Sequence, residues 1–448
     1  MGRATGLKMK AEITLPACVS GVILRLEQCG HSAYAVGGCV RDMLMGRTPH
    51  DYDICTDALP DGVKAAFPDM TTVDTGIKHG TVTVIADGSP VEITTFRVES
   101  GYSDGRHPDS VSFTSSLTGD LARRDFTVNA MAYSDRTGII DIFGGTDDIK
   151  TRLIRCVGDP EERFSEDHLR ILRALRFSSV LCFGIDRKTS AAVRALKDSL
   201  VSVSPERIAA ELDKAIMGKD FGRVLLEYPE VFSVFLPELS PCIGYNQNNP
   251  HHIYDLLTHT AKAVDACPED RIVRLAALFH DIGKPSTMVT DADGVSHYIG
   301  HAKVSTEMAD NILHRLRYST ADIRAVTELI RYHDGVIDET EKAVKKRLSQ
   351  LGEMQFRRLI ALKRADNAAQ AENPDFRKDH AEKLLSIAQG IIDRSECLSL
   401  KTLAVNGSDL IALGLSGREI GQALKLMLEA VIDGRAENEK SALLALLK

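Results

Sequence analysis

Residues 33–53 read AYAVGGCVRDMLMGRTPHDYD, and this stretch decides the fold. Residues 34–36 read as the end of a buried strand, Gly37 and Gly38 turn the backbone, and residues 39–45 open a helix directly afterwards. Glycines let main-chain N–H groups approach an anion, and a helix N-terminus adds a partial positive charge. The turn is therefore a seat for phosphate, with Arg41 as a bidentate donor. Asp51 and Asp53 follow, one residue apart. A strand over 50–56 puts both carboxylates on one face. Two such carboxylates repel unless a cation lies between them, and hard oxygen ligands beside phosphates suit Mg2+. A Gly-Gly turn alone is usually only a turn, and a D-x-D is usually a solvated loop or cap. Their combination on strand–turn–helix–strand points to a site for a metal–nucleoside triphosphate.

GGCVRD followed by DYD resembles the head of the class II tRNA nucleotidyltransferase and poly(A) polymerase family. The resemblance implies that Gly37, Gly38, Arg41 and Asp42 bind nucleotide and that Asp51 and Asp53 are catalytic ligands of Mg2+. The bulk properties agree with a large globular chain. At 448 residues two to four domains are expected. No run approaches the ~18 apolar residues of a membrane span, and the basic N-terminus lacks the apolar core of a secretory signal. Nine scattered cysteines without a C-x-x-C suggest reduced thiols and a cytoplasmic protein. A net charge of -8 argues against a generally basic coat, so RNA contacts would come from local patches.

Residues 11–30 read as an amphipathic helix closing at Gly30, and 59–67 as a short helix. Strands follow at 71–75, 80–85 and 91–97, the last two joined by an Asp87-Gly88 turn. Glu92, in the third of these, reads equally as an exposed carboxylate or as a third acid beside Asp51 and Asp53. The match of VEITTFR to the family favours the catalytic role. Residues 98–116 are polar and read as a mobile loop. In the family such a loop serves the change from cytosine to adenine addition, which implies a full CCA-adder. The string RRDFTVNA carries Arg124, Asp125 and Asn129. A carboxylate or amide can test a ribose hydroxyl and an arginine can clamp phosphate, whereas RRD alone also suits a capped surface helix. The string resembles the family's ribose-selecting motif.

From residue 151 the pattern turns helical. In FSEDHLRILRALRF, Ser165 reads as an N-cap, and Asp167 and Arg170 lie at i and i+3 on one face. An ordinary helix salt bridge is the commoner fate of such a pair. A carboxylate acceptor beside a guanidinium donor nevertheless matches the amino group and ring nitrogen that cytosine and adenine share. It mismatches uracil and guanine. EDHLRILRALRF resembles the family's nucleobase-reading motif, which implies this role for Asp167 and Arg170. Arg173 and Arg176 are placed at phosphate or in support, and Glu206, Arg207 and Glu211 of SPERIAAELDKAI in structural support.

Residues 251–366 carry a second constellation: His259, His280, Asp281, His301, His333 and Asp366. Imidazole and carboxylate from several helices can hold one or two divalent metals that activate water. The set resembles the HD-type metal phosphohydrolases, implying a divalent transition metal. Residues 342–364 hold eight Lys/Arg and one acid, reading either as a face for tRNA phosphates or as a solvated surface. Residues 372–378 read as a linker, and the remainder as a small helical tail like that which contacts tRNA in bacterial CCA-adding enzymes. The expectation is thus α+β: a mixed-sheet head over 1–150, then an all-α chain with a neck and body over 151–245, an HD-type region over 246–371 and a tail over 379–448. The expected reaction is template-independent addition of CCA to tRNA from CTP and ATP, with HD hydrolysis as an added activity. Poly(A) polymerase, CC- or A-only addition, and an HD phosphohydrolase or sensor with a vestigial head are the alternatives. Neither a membrane nor a stable protein partner is expected.

Overall fold

Seven strands pair into one sheet in the first half of the chain, and everything at the candidate site hangs from its register. The computed structural model describes residues 13–102, 105–106, 108–248, 253–370 and 375–447. It divides into two units, Met1–Asp220 with Glu227–Pro237, and Phe221–Leu226 with Glu238–Lys448. The first unit runs α1 (Ala17–Gln28), β1 (Ala33–Val36), α2 (Gly38–Leu44), β2 (Asp53–Thr56), α3 (Pro60–Ala66), β3 (Thr72–Gly76), β4 (Thr81–Ala86), β5 (Ser89–Thr95), β6 (Arg97–Ser100), β7 (Ser110–Phe113), α4 (Leu117–Ala122), β8 (Met131–Ser134) and β9 (Gly138–Asp141). The helices α5 (Gly145–Thr151), α6 (Pro160–Glu166), α7 (Leu169–Leu181), α8 (Arg187–Ala195) and α9 (Pro205–Ile216) follow. The sheet order is β3-β4-β5-β2-β1-β8-β9. Only β2–β5 is parallel, because α3, β3 and β4 intervene; its neighbours are antiparallel.

Alternation explains the sheet's two faces. In β4, Val82, Val84 and Ala86 are buried and their neighbours are not. Ile54 and Ile93, paired across β2 and β5, are fully buried, each worth about 2 kcal/mol of apolar burial. The β4–β5 hairpin turns at Asp87 (φ 51°) and Gly88 (φ 77°), both with the positive φ that a two-residue turn of matching twist requires.

Several expectations shift. The first helix starts at Ala17, after Pro16. The strand expected from residue 50 begins at Asp53, so Asp51 stands in the preceding loop. The polar stretch 98–116 is not wholly a loop: β6 and β7 pair from Arg97↔Phe113 to Ser100↔Ser110. Arg123 to Asp125 follow α4 rather than lying in a helix, and Asn129 ends a short 3-10 turn. Ser165 is no N-cap. Asp159 caps α6 instead, its side chain accepting from Glu161 N and Glu162 N with Pro160 at the first helical position. That combination starts the helix earlier than Ser165 could. Asp167 therefore lies between α6 and α7.

The second unit is largely helical. The helix Arg271–Phe279 is capped by Asp270 and buried on nearly all sides, and His280 and Asp281 follow it directly. Of the linker expected at 372–378, residues 372–374 lie outside the described ones and 375–378 fall in a helix, Asp375–Asp393. The tail helices Gly407–Ile411, Arg418–Ile432 and Lys440–Ala445 surround a core of Val405, Leu410, Met427 and Leu443.

Candidate active site and histidine cluster

The register assembles three carboxylates. Val36 pairs with Asp53, so the Gly37 turn emerges beside it, and Asp53 pairs in parallel with Glu92. Paired residues share a face, so Glu92 stands next to Asp53. Asp51 precedes by two residues. Asp51, Asp53 and Glu92 are exposed to solvent, yet Asp53 has dense protein on one side. Desolvation, then the charges of Asp51 and Glu92, push its carboxyl up to about 6, with Arg124 opposing. The three carboxylates repel one another here, a repulsion that a positive charge among them would relieve.

Gly37 has φ 81° and ψ -131°. A Cβ there would lie 3.0 Å from Arg124 Nη1, so the guanidinium overhangs the turn. The guanidinium of Arg41 is turned inward instead, donating to Asp42 and to Asn129 Oδ1 at 2.5 Å. The expected phosphate donor is thus engaged within the protein, and Arg124 holds the place over the turn. Asn129 passes the chain on, donating to Asp125 at 3.1 Å. Burial would raise the Asp125 carboxyl, but Arg173, Asn129 and Phe126 N outweigh it and bring it down to about 2. Arg173 grips one of its oxygens with two donors, at 2.8 and 2.5 Å. Arg176 pairs with Glu211 at 2.9 Å and lies 4.2 Å above the Phe177 ring, a supporting place in the core.

A cavity of about 570 Å3 is lined by Arg124, Asp125, Asp167, Arg170, Arg173 and Arg207, among others. Asp167 and Arg170 thus face one cavity, but not each other. Arg170 donates to Glu166 at 2.6 Å and to Arg163 O at 3.0 Å. Asp167 accepts from Arg207, both oxygens at 3.1 Å. The ordinary i,i+3 ion pair is absent between them; each is held in place by a different partner, and both line the one cavity. Arg207, expected in structural support, is a cavity residue, which no local spacing reveals because Asp167 is 40 positions away. Asp51, Asp53 and Glu92 do not line this cavity. Arg124 connects the two places, since it lines the cavity, overhangs Gly37 and acts on Asp53.

In the second unit all six expected ligands converge. His259 Nε2 lies 3.2 Å from His280 Nε2, and His301 Nε2 lies 3.3 Å from His333 Nε2. Each Nδ1 meets a backbone carbonyl: Ala277 at 2.8 Å for His280, Tyr298 at 2.8 Å for His301, Ile330 at 2.6 Å for His333 and Ala369 at 3.3 Å for His259. A carbonyl only accepts, so each Nδ1 carries a proton and Nε2 is the ring atom turned into the cluster and offered to a ligand. Asp281 Oδ2 lies 3.4 and 3.3 Å from His259 and His280, and Oδ1 lies 3.3 and 3.5 Å from His301 and His333. Asp366 reaches His259 at 3.1 Å. Asp281 Oδ1 is buried without a hydrogen-bond partner. Burial opposes protonation of His280, but Asp281 and Asp366 outweigh it and raise it to about 10. A field that holds a proton so strongly also favours a cation, and two ligand groups, one on each oxygen of Asp281, fit a divalent metal. Cavities of about 290 and 430 Å3 open onto this cluster.

Part of the basic run 342–364 is offset by acids of its own unit. Lys342 pairs with Asp433, Lys345 with Glu396, Arg357 with Glu353 and Arg358 with Asp270. Ion pairs therefore take up half of the eight basic residues seen in the sequence.

Three family models match: "Poly A polymerase head domain" over 33–155, "Probable RNA and SrmB- binding site of polymerase A" over 182–243, and tRNA nucleotidyltransferase domain 2 over 290–447. A CCA-adding enzyme of Lactobacillus delbrueckii subsp. bulgaricus is 36% identical over 426 residues, covering 94% of this chain and 95% of that one. A Bacillus stearothermophilus CCA-adding enzyme solved in complex with CTP is 31% identical, with a TM-score of 0.75 and 96% of each chain covered. A Thermotoga maritima CCA-adding enzyme solved with tRNA shares the fold, at a TM-score of 0.58, 20% identity and coverage of 98% and 97%.

Proposed function

The chain belongs to the CCA-adding enzymes, a family of tRNA nucleotidyltransferases, and from that premise we propose how its own residues build a CCA end. It joins the 3′-hydroxyl of tRNA to the α-phosphate of CTP or ATP without a nucleic-acid template, releasing pyrophosphate. The carrying observation is the Asp53↔Glu92 register beside the Gly37 turn, linked through Arg124 to the cavity of Asp167 and Arg170.

Enzymes of this family use a divalent metal. Asp51, Asp53 and Glu92 would hold Mg2+ here, which when bound draws the hydroxyl and α-phosphate together and offsets the charge of the departing pyrophosphate. The N–H groups at the Gly37–Gly38 turn and the guanidinium of Arg124 meet the triphosphate. Asp125 fixes the ribose side of the cavity, held there by Arg173 and Asn129. Asp167 accepts from the amino group shared by cytosine and adenine while Arg170 donates to the ring nitrogen beside it. Uracil and guanine present the reverse order, and a buried mismatch of that kind rejects strongly. Nine cysteines outside any disulfide suit a reducing compartment, the cytoplasm, and no described helix is long and apolar enough to cross a membrane. Incubation with tRNA lacking its 3′ end, CTP and ATP should lengthen it by CCA and stop. A long adenine tract would instead mark a poly(A) polymerase.

A second reading concerns the histidine cluster. His259, His280, Asp281, His301, His333 and Asp366 would hold a divalent transition metal, which when bound supplies Lewis acidity for phosphoester hydrolysis. The orphaned Asp281 Oδ1 supports it. Metal analysis of the intact chain, with phosphate release by an Asp51→Ala variant, tests it; a metal-free, inert protein would remove this reading.

A further inference from the structure

Asp120 lies between the two sides of the first site and has no role yet. Its side chain is fully buried, at 0% exposure. Oδ1 accepts from Arg123 Nε at 3.0 Å and Nη2 at 2.6 Å, and from Arg97 N at 3.3 Å. Oδ2 accepts from Arg124 Nη2 at 3.3 Å. Arg124 Nε is buried without a hydrogen-bond partner, so Asp120 is the side-chain anchor found for this guanidinium among the described residues. Glu99 faces Arg97 and Arg123 as well. Two carboxylates thus meet three guanidiniums, and one positive charge is left over at the cavity wall.

We propose that Asp120 is a positioning residue for nucleotide addition: its carboxylate fixes Arg124 over the Gly37 turn and beside Asp53, where the guanidinium receives the triphosphate. The inference rests on the reaction proposed above. Without the anchor, Arg124 still carries its charge but samples several rotamers, and each binding event must order it again. The loss therefore falls on nucleotide affinity. Base choice, set by Asp167 and Arg170, stays as it was.

The test is a cycle of Asp120→Asn, Arg124→Ala and the double variant, assayed for CTP and ATP addition to tRNA lacking its end. Asp120→Asn should raise KM about tenfold with kcat within about twofold, the size expected for one charge-assisted hydrogen bond. The double variant should be no worse than Arg124→Ala alone. Independent, multiplying effects, or a lower melting temperature with unchanged KM, would overturn the proposal. Should Asp120→Asn fail to fold, Arg124→Lys carries the same question. Lysine keeps the charge but cannot both touch Asp120 and cover Gly37, so KM should rise as in Arg124→Ala; a normal KM overturns the proposal. Wild type run alongside separates the two readings: if it leaves tRNA unextended, the reaction itself is wrong.

Discussion

Asp53 shows how one residue's chemistry depends on what the fold sets around it. Its carboxyl is raised to about 6 by desolvation, Asp51 and Glu92. In metal-free protein the ionised form is therefore disfavoured by folding. Its stabilising contribution is full below the ordinary carboxylate value near 4 and is lost as pH rises through about 6. Mg2+ needs the ionised form, so a proton competes with it. We predict that kcat/KM for CTP at limiting Mg2+ falls as pH drops through about 6, checked by a profile from pH 5 to 8; a flat profile would count against the cation assignment. Asp51→Ala should abolish incorporation while leaving tRNA binding largely intact, read by filter binding beside the extension assay. At the other end of the cavity, Arg170→Ala removes the donor of the base-reading pair. Misincorporation of UTP and GTP should rise roughly 10- to 100-fold, and unchanged exclusion in single-nucleotide assays would defeat the pairing-edge account.

Among elements, the strand–turn–helix of β1 and α2 carries a penalty that only glycine avoids. At φ 81° and ψ -131° Gly37 occupies a region closed to other residues, and a Cβ would press on Arg124 Nη1 at 3.0 Å. Gly37→Ala should cost about 1–3 kcal/mol of stability and raise nucleotide KM, measured by denaturant unfolding and by kinetics on the folded fraction. The turn was legible in the sequence because glycine pairs have few other uses before a helix. The β4–β5 hairpin was legible for the same reason, since Asp87-Gly88 supplies both positive φ values. The start of α6 was not. Two cap signals compete in DPEERFSED, and Asp159-Pro160 wins because its side chain already satisfies two free N–H groups.

For the whole molecule, the two units allow separate tests. The histidine cluster sits in a unit whose core helix Arg271–Phe279 leads straight into two of its ligands, so metal bound there should stabilise that unit by mass action. Chelation should lower the melting temperature of the intact chain by several degrees, and re-addition of a divalent transition metal should restore it; an unchanged melt argues against occupancy. Local spacing together with the family resemblance pointed to the α+β plan, the paired aspartates and the six cluster residues. Those signals reside in the period of strands and helices and in residue types with few alternative uses. Packing alone decided that Glu92 stands beside Asp53, that Arg41 turns inward while Arg124 covers the glycine turn, and that Arg207 holds Asp167. It also paired Lys342, Lys345 and Arg358 with acids outside the basic run. Contacts of this kind join residues tens of positions apart, and their geometry depends on how finished elements stack, which no local pattern encodes.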